Sequence, residues 1–491
     1  MLSRREFLFS ALAAGTAAGA RAQEPPGAPA VLRLERRVIE VNGKAASVFG
    51  IRQPNGAAGI EIAAGTPFQV RTENLSGAPS LIHWHGLTPP WRQDGVAGIS
   101  SPPIPPGGSA AYDFPLPFGG TFWMHAHYGL QEQLLMSAPL IIRDRTGAGM
   151  QEAILMLNDF SFTPPEEIYA RLRRGSLAGM QMGPMDHMGM GHMGMAAQDA
   201  SQMGGEEKGG MAGRAMASES AMPDLNDVPY DAFLANDRTL ADPEIVKAEP
   251  GSQVLLRIIN GASMSGFYVD LGLLEGDVIA ADGHAVAPVR GRRFPLAAAQ
   301  RLDIRLQLPP GPGAYPVLAI LEGERRQTGI ILATAGANVT RVPELAEAPA
   351  PPLTLGLESE LRALEPLKPR PADRRHVLNL TGEMDGYQWS VNGVAWTPAV
   401  PPLPIAEGER VELVFVNQTA MPHPMHLHGH VFQVVAAGEH RFQGAMRDTI
   451  LVPPWTRVTV AFDANNPGWW ALHCHLLYHM EAGMFTTLRY A

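Results

Sequence analysis

The sequence predicts an all-β chain assembled from three copies of one β unit, and two gapless repeats carry that prediction. In the first repeat, Asn74 is followed at +9, +11 and +12 by His83, His85 and Gly86. Asn260 leads in the same way to Val269, Leu271 and Gly272, and Asn417 to His426, His428 and Gly429. In the second, Gly120 leads at +5 and +7 to His125 and His127, Gly313 to Leu318 and Ile320, and Gly468 to His473 and His475. Before each asparagine lies a strand-like stretch, at 68–71, 254–258 and 411–415. The 52 glycines and 44 prolines, against only 18% charged residues, suit a β protein rich in loops.

Taken in order, the chain opens on Ser3-Arg4-Arg5-Glu6-Phe7-Leu8, a weakly apolar stretch to Ala20, and Ala20-Arg21-Ala22. This pattern predicts a twin-arginine signal peptide over residues 1–22 and hence a periplasmic protein. The apolar stretch is too short to span a membrane. Residues 30–147 form the first unit, ending after the strand-like Leu140-Ile141-Ile142. Residues 148–337 form the second, residues 338–375 a linker rich in Pro and Ala with a short helical piece near 357–364, and residues 376–491 the third. Each is long enough to carry its own core.

An insert at 180–222 interrupts the second unit and holds 11 of the 23 methionines. Closely spaced glycines forbid a stable helix there, so the methionines do not read as a core stripe. Thioethers are soft and prefer Cu(I), and Asp186, His187 and His192 add harder donors, so the insert reads as a Cu(I)-collecting segment. A passive linker is the alternative.

Charge narrows the partners. The first 22 residues carry a net +2 (Arg4, Arg5 and Arg21 against Glu6), so their removal takes the chain from −10 to −12. That balance argues against nucleic acid or an anionic membrane and favours attraction of cations. The single cysteine excludes internal disulfides. No sequence feature speaks to oligomeric state.

The densest chemistry lies at 473–484, where that cysteine sits between His473 and His475, with His479 and Met484 beyond. A thiolate, two imidazoles and a weak thioether make an electron-transfer copper site. On a strand, successive side chains point to opposite faces, so if Cys474 faces one metal, His473 and His475 together face another. Four His-x-His pairs, at 83/85, 125/127, 426/428 and 473/475, use 8 of the 16 histidines. Those eight suffice for three copper ions, and His423, Cys474, His479 and Met484 for a fourth. The second unit has apolar residues in the equivalent places, so the larger site must lie between the first and third units, with the second as spacer.

In His-Trp-His-Gly at 83–86, His-x-His at 125–127, His-x-x-His-x-His at 423–428 and His-Cys-His-x3-His-x4-Met at 473–484, the chain resembles the three-domain multicopper oxidases. That family includes laccases and bacterial copper efflux oxidases, and the resemblance runs over about residues 30–491. It implies three cupredoxin-like Greek-key β-sandwich domains and four copper ions per chain. By motif, His83 and His426 would hold a type 2 copper. His85, His125, His127, His428, His473 and His475 would hold a type 3 pair. His423, Cys474 and His479 would hold the type 1 copper, with Met484 axial. The activity implied is one-electron oxidation of a donor at the type 1 site, near an exposed edge of His479 or His423. Electrons would pass through Cys474 to His473 and His475, and dioxygen would be reduced to water.

Protons for that reduction need an acid, and Asp94, just after the first histidine motif, is the candidate. Many bacterial relatives have a glutamate directly after the last type 1 histidine, where this chain has Met480, with Glu481 one place later. Copper efflux oxidases place an acid and a methionine just before the first type 1 histidine; Met421 matches, but Thr419 replaces the acid. The insert and the export signal favour a cuprous oxidase in copper tolerance, with a laccase-like phenol oxidase as the alternative and a non-catalytic copper-sequestering protein a distant third. His430 reads as packing, and Trp455, Trp469 and Trp470 as core or interface aromatics.

Overall fold

The structure, a computed structural model, describes residues 29–144, 147, 149–175 and 225–491. The signal segment and the methionine-rich insert therefore lie outside the described residues. What is described is built almost wholly of strands, with two sheets per unit, as the repeats predict. In each unit the strand ending at the repeated asparagine runs parallel to the unit's first strand: Phe68–Asn74 beside Ala30–Val41, Gln253–Asn260 beside Gln151–Phe160, and Arg410–Asn417 beside Arg374–Glu383.

The asparagine has the same task three times. Its amide donates to two carbonyls across the turn: Ala78 and Ile104 from Asn74, Ser265 and Leu296 from Asn260, Met421 and Val452 from Asn417. Its oxygen accepts the backbone N–H two residues on. Each satisfies buried backbone groups where the chain leaves one sheet for the other. The glycine at +12 is also explained, because Gly86, Gly272 and Gly429 all take positive φ (88°, 60° and 67°).

The middle unit departs from the repeat in one respect. In the outer units His83 pairs with His125 and His426 with His473. In the middle unit Val269 pairs with Ala319, not Leu318. That slip of one residue turns the strand over. Phe267 and Val269 now face the core, as Ile82 and Trp84 do in the first unit, and Tyr268 and Ile320 share the opposite face. Val269 is therefore not a geometric counterpart of a paired histidine, as the gapless alignment implies.

The linker is docked rather than loose. Leu353 and Leu361 are buried, the helical piece spans Gly356–Glu360, and Glu358 accepts a hydrogen bond from Arg447 at 2.8 Å. Trp470 is buried and Trp469 half-buried, but Trp455 is 66% exposed and packs in no core. Among the described residues no helix is long and apolar enough to cross a membrane.

Candidate metal centres

Strand alternation builds both centres. On Ile82–His85, Trp84 packs edge-on against Phe68 in the first core, which sends His83 and His85 to the other face. On Trp469–Cys474, Leu472 and Cys474 enter the core while His473 faces away, followed by His475. Docking the first unit on the third brings the four pairs together, all eight rings buried.

The hydrogen bonds fix where the lone pairs point. His83 Nδ1 lies 2.9 Å from the carbonyl of Asp94, and His426 Nδ1 2.9 Å from that of Asp448. His428 Nδ1 meets Asp94 Oδ2 at 2.9 Å, and His473 Nδ1 the Cys474 carbonyl at 2.9 Å. With the proton on Nδ1 in each, the Nε2 atoms present lone pairs to one another. His83 and His426 do so at 3.3 Å, His428 and His473 at 3.0 Å, and His127 and His473 at 3.3 Å. His125 Nδ1 contacts Glu132 Oε2 at 2.7 Å, leaving its Nε2 without a partner among the described residues, as are both nitrogens of His475. His85 is reversed: its Nε2 meets Asp448 Oδ1 at 2.9 Å and its buried Nδ1 has no partner.

Burial first, then the neighbouring rings, lowers the pKa of His85, His127, His426, His428 and His475 well below the usual imidazole value. His125 falls likewise, through burial and His83, and burial takes His473 to about 3. These seven rings are therefore neutral. Neutral nitrogens facing each other at hydrogen-bond distance with no proton between them are a repulsive arrangement unless a cation sits there. The donor set fits soft-to-borderline transition metals, copper among them.

The second centre belongs to the third unit alone. Cys474 Sγ lies 3.6 Å from His423 Nδ1 and 3.9 Å from His479 Nδ1, and those two nitrogens are 3.2 Å apart. All four residues, Met484 included, are buried, and the Cys474 N–H donates to the Met484 carbonyl at 3.0 Å. Burial pushes the thiol pKa up, so a metal bound there must displace a proton. The far nitrogens are occupied: His423 Nε2 meets Thr419 Oγ1 at 2.8 Å, and His479 Nε2 meets Asp227 Oδ2 at 2.9 Å.

This corrects one expectation. Neither histidine has an exposed edge, because both are buried and Trp389 stacks on His479 with 4.0 Å between ring centroids. Beyond His479 lies Asp227, itself buried, which also accepts a hydrogen bond from Tyr387. Asp227 lines a cleft of about 230 Å³ between the helix Pro165–Arg173 and residues 227–231.

Asp94 lies where the sequence points, its carboxylate between His83 (3.2 Å) and His428 (2.9 Å). Sequence reasoning missed Glu132, Asp448 and Asp227, which have no fixed spacing from any histidine motif; an acid shortly after each motif was the only available signal. Met480 and Glu481 line an apolar cleft of about 290 Å³ that reaches His127, and Glu481 is exposed, with no contact to either centre. His430 packs between the His428 carbonyl (3.0 Å) and the Tyr490 hydroxyl (2.7 Å).

Profiles of the multicopper oxidase family match residues 34–147, 151–338 and 369–491. The chain is 29% identical to Multicopper oxidase MmcO of Mycobacterium tuberculosis, covering 99% of this chain and 96% of that one. It is 26% identical to Copper resistance protein A of Pseudomonas syringae pv. tomato, covering 99% of each. Its fold is similar to that of Fet3p, a multicopper oxidase that functions in iron import. The TM-score is 0.73 at 18% identity, over 94% of this chain and 90% of that one.

Proposed function

The chain belongs to the multicopper oxidase family, and we propose that it is a periplasmic cuprous oxidase, exported by its twin-arginine segment, that serves copper tolerance. Four copper ions are held as the motifs imply. His423, Cys474, His479 and Met484 hold a type 1 ion, His83 and His426 a type 2 ion, and His85, His125, His127, His428, His473 and His475 a type 3 pair. The facing lone pairs support this reading. When bound, these ions take single electrons from a donor and pass four of them to dioxygen, giving two waters.

The chain's own part is to orient, shield and connect. Cys474 joins the two centres through its immediate neighbours His473 and His475, the shortest covalent link the backbone allows. Asp94 holds the rings of His83 and His428, and its Oδ1, 3.2 Å from His83 Nδ1, has no hydrogen-bond partner among the described residues, which makes Asp94 the acid we propose for proton supply. Burial of all eight rings keeps bulk water away.

The observation that carries the substrate is Asp227. Its Oδ1 is buried with no hydrogen-bond partner among the described residues, while its Oδ2 contacts His479. A buried acid with an unpaired oxygen, on a residue that lines a cleft of about 230 Å³, is a setting that attracts a small cation. The described residues on either side of the methionine-rich insert line that same cleft, which supports delivery of Cu(I) from the insert's thioethers. The reaction balances as four Cu(I), one dioxygen and four protons giving four Cu(II) and two waters. A phenol hydroxyl donating to Oδ1 is the second reading.

Oxygen uptake by the copper-loaded protein, with Cu(I) or a simple phenol and with or without residues 180–222, separates the two. Fast uptake with Cu(I) that falls selectively on deletion supports the cuprous oxidase. Faster phenol turnover, with Cu(I) poorly used by both forms, makes the protein laccase-like.

A further inference from the structure

We propose that Arg301, from the middle unit that supplies no ligand, is a positioning residue for the eight-histidine centre and acts through Asp448. Arg301 is fully buried. Its guanidinium forks onto Asp448, with Nη1 donating to Oδ1 at 2.8 Å and Nη2 to Oδ2 at 2.5 Å. Two more of its donors are tied down, Nε to the Thr121 carbonyl of the first unit at 3.2 Å and Nη1 also to the Ala299 carbonyl at 3.1 Å. Asp448 then touches two of the histidines. Its Oδ1 accepts from His85 Nε2 and its carbonyl from His426 Nδ1, both at 2.9 Å.

His85 is where this matters. His83, His125, His426, His428 and His473 have Nδ1 tied to an oxygen, leaving Nε2 to face the centre. His85 alone gives Nε2 to an oxygen and turns Nδ1 inward. The partner of one imidazole nitrogen decides which nitrogen is left to bind metal. A carboxylate free to rotate would not hold that choice. One gripped by a two-pronged guanidinium does, because the fork fixes the carboxylate plane as well as its position.

The surroundings are shaped for the pair. A Cβ on Gly86, directly after His85, would lie 2.5 Å from Arg301 Nη2 and 2.7 Å from Asp448 Oδ2. Any other residue there would collide with the fork. Behind it the charges continue: Asp282 accepts the Arg301 backbone N–H at 2.9 Å and lies 3.1 Å from Arg447, which donates to Glu358 of the linker. Buried ion pairs of this kind add little net stability, and their best-supported use is to specify one geometry.

The inference rests on His85 being a copper ligand, so the parent protein is measured beside Arg301→Met and Arg301→Lys. Three quantities are read: copper per chain, the fraction of Cu(II) visible by electron paramagnetic resonance, and blue absorbance from the Cys474 centre as internal control. A coupled copper pair is silent in resonance, so the visible fraction reports its geometry. For Arg301→Met we expect blue absorbance to persist, the visible fraction to rise, and copper affinity or dioxygen reduction to fall by about ten- to a hundredfold. Arg301→Lys keeps the charge but not the fork, and should restore the melting temperature while leaving the visible fraction high. If Arg301→Met does not fold, the lysine variant decides alone. Parent-like coupling in Arg301→Lys, or in a folded Arg301→Met, overturns the proposal. A parent with no silent copper pair would instead overturn the ligand reading beneath it.

Discussion

The two histidine centres differ in how much of the molecule must be in place before they exist. The cysteine centre is drawn from adjoining strands and a short helix of the third unit, with Met425 paired to Cys474 across the sheet. The eight-histidine centre has no counterpart inside any one unit: His428 meets His473 within the third unit, but the contacts of His83 with His426 and of His127 with His473 cross from the first unit to the third. Both centres nevertheless lean on the middle unit, which lends Asp227 to one and Arg301, through Asp448, to the other. Having no ligands did not reduce that unit to a spacer. It became the source of buried charge that orients rings in its neighbours.

The comparison is broken most severely at the residue the two centres share by backbone. Cys474→Ser should abolish blue absorbance and oxidase turnover while the other three copper ions remain, since no cluster histidine uses the thiol. Copper per chain falling from about four to about three, with the resonance signal of the remaining site intact, is the expected result. Loss of all copper would show that the eight-histidine centre depends on the cysteine centre for its assembly.

Acid should separate the centres next. In the metal-free protein seven cluster histidines have lowered pKa values, as does His423 in the cysteine centre. The unfolded chain takes up protons below about pH 6.5 while these native rings do not. Their contribution is therefore present above that pH and lost as pH falls, by about 1.4 kcal/mol per pH unit for each ring while it stays neutral. Burial takes His473 to about 3, so that ring stays neutral throughout the range from pH 7 to 5. Denaturant unfolding of the metal-free protein between pH 7 and 5 should show a steep loss, beginning with separation of the first unit from the third. A flat profile would mean the rings charge freely and the interface is wet.

A matched pair of amides then tests the division of labour. Asp94→Asn should slow reoxidation by dioxygen by about ten- to a hundredfold, leaving reduction of the blue copper unchanged. Asp227→Asn should do the reverse, slowing reduction by Cu(I) by about tenfold and sparing reoxidation. Stopped-flow absorbance of the blue copper reads both steps. If either variant slows both steps alike, the two acids do not serve separate centres.

Much of this was legible in the sequence because the candidate ligands are chemically rare residues at strand spacing. One cysteine and four His-x-His pairs located both centres, and strand alternation placed Cys474 and His473 on opposite faces. The three asparagines marked the fold before any strand was paired. What stayed hidden was set by packing. Val269 was aligned without a gap, yet a slip of one residue turned it into the core. Asp227, Asp448, Glu132 and Arg301 are ordinary charged residues, and only the docking of units shows that each is buried against a ring or its partner. The exposed edge expected of His479 is absent because Trp389 and Asp227 come from stretches that carry no motif.

The smallest effect tests the comparison within the cysteine centre, between its two histidines. Thr419 Oγ1 lies 2.8 Å from His423 Nε2, 2.8 Å from Asn417 Oδ1 and 3.2 Å from the Met421 carbonyl. A hydroxyl has one proton, and the last two partners only accept, so Thr419 must accept from His423. That sets the His423 proton on Nε2 and turns the Nδ1 lone pair toward Cys474, the same outcome Asp227 achieves for His479 with a full charge. Thr419→Val keeps the shape and leaves the buried Nε2–H unpaired, at a cost of about 1–3 kcal/mol in stability. Because neutral partners hold a ring less firmly than charged ones, blue absorbance should persist and the reduction rate should change less than in Asp227→Asn. Thermal unfolding and the same stopped-flow traces measure both. A larger kinetic effect from Thr419→Val than from Asp227→Asn would move the donor's path from His479 to His423.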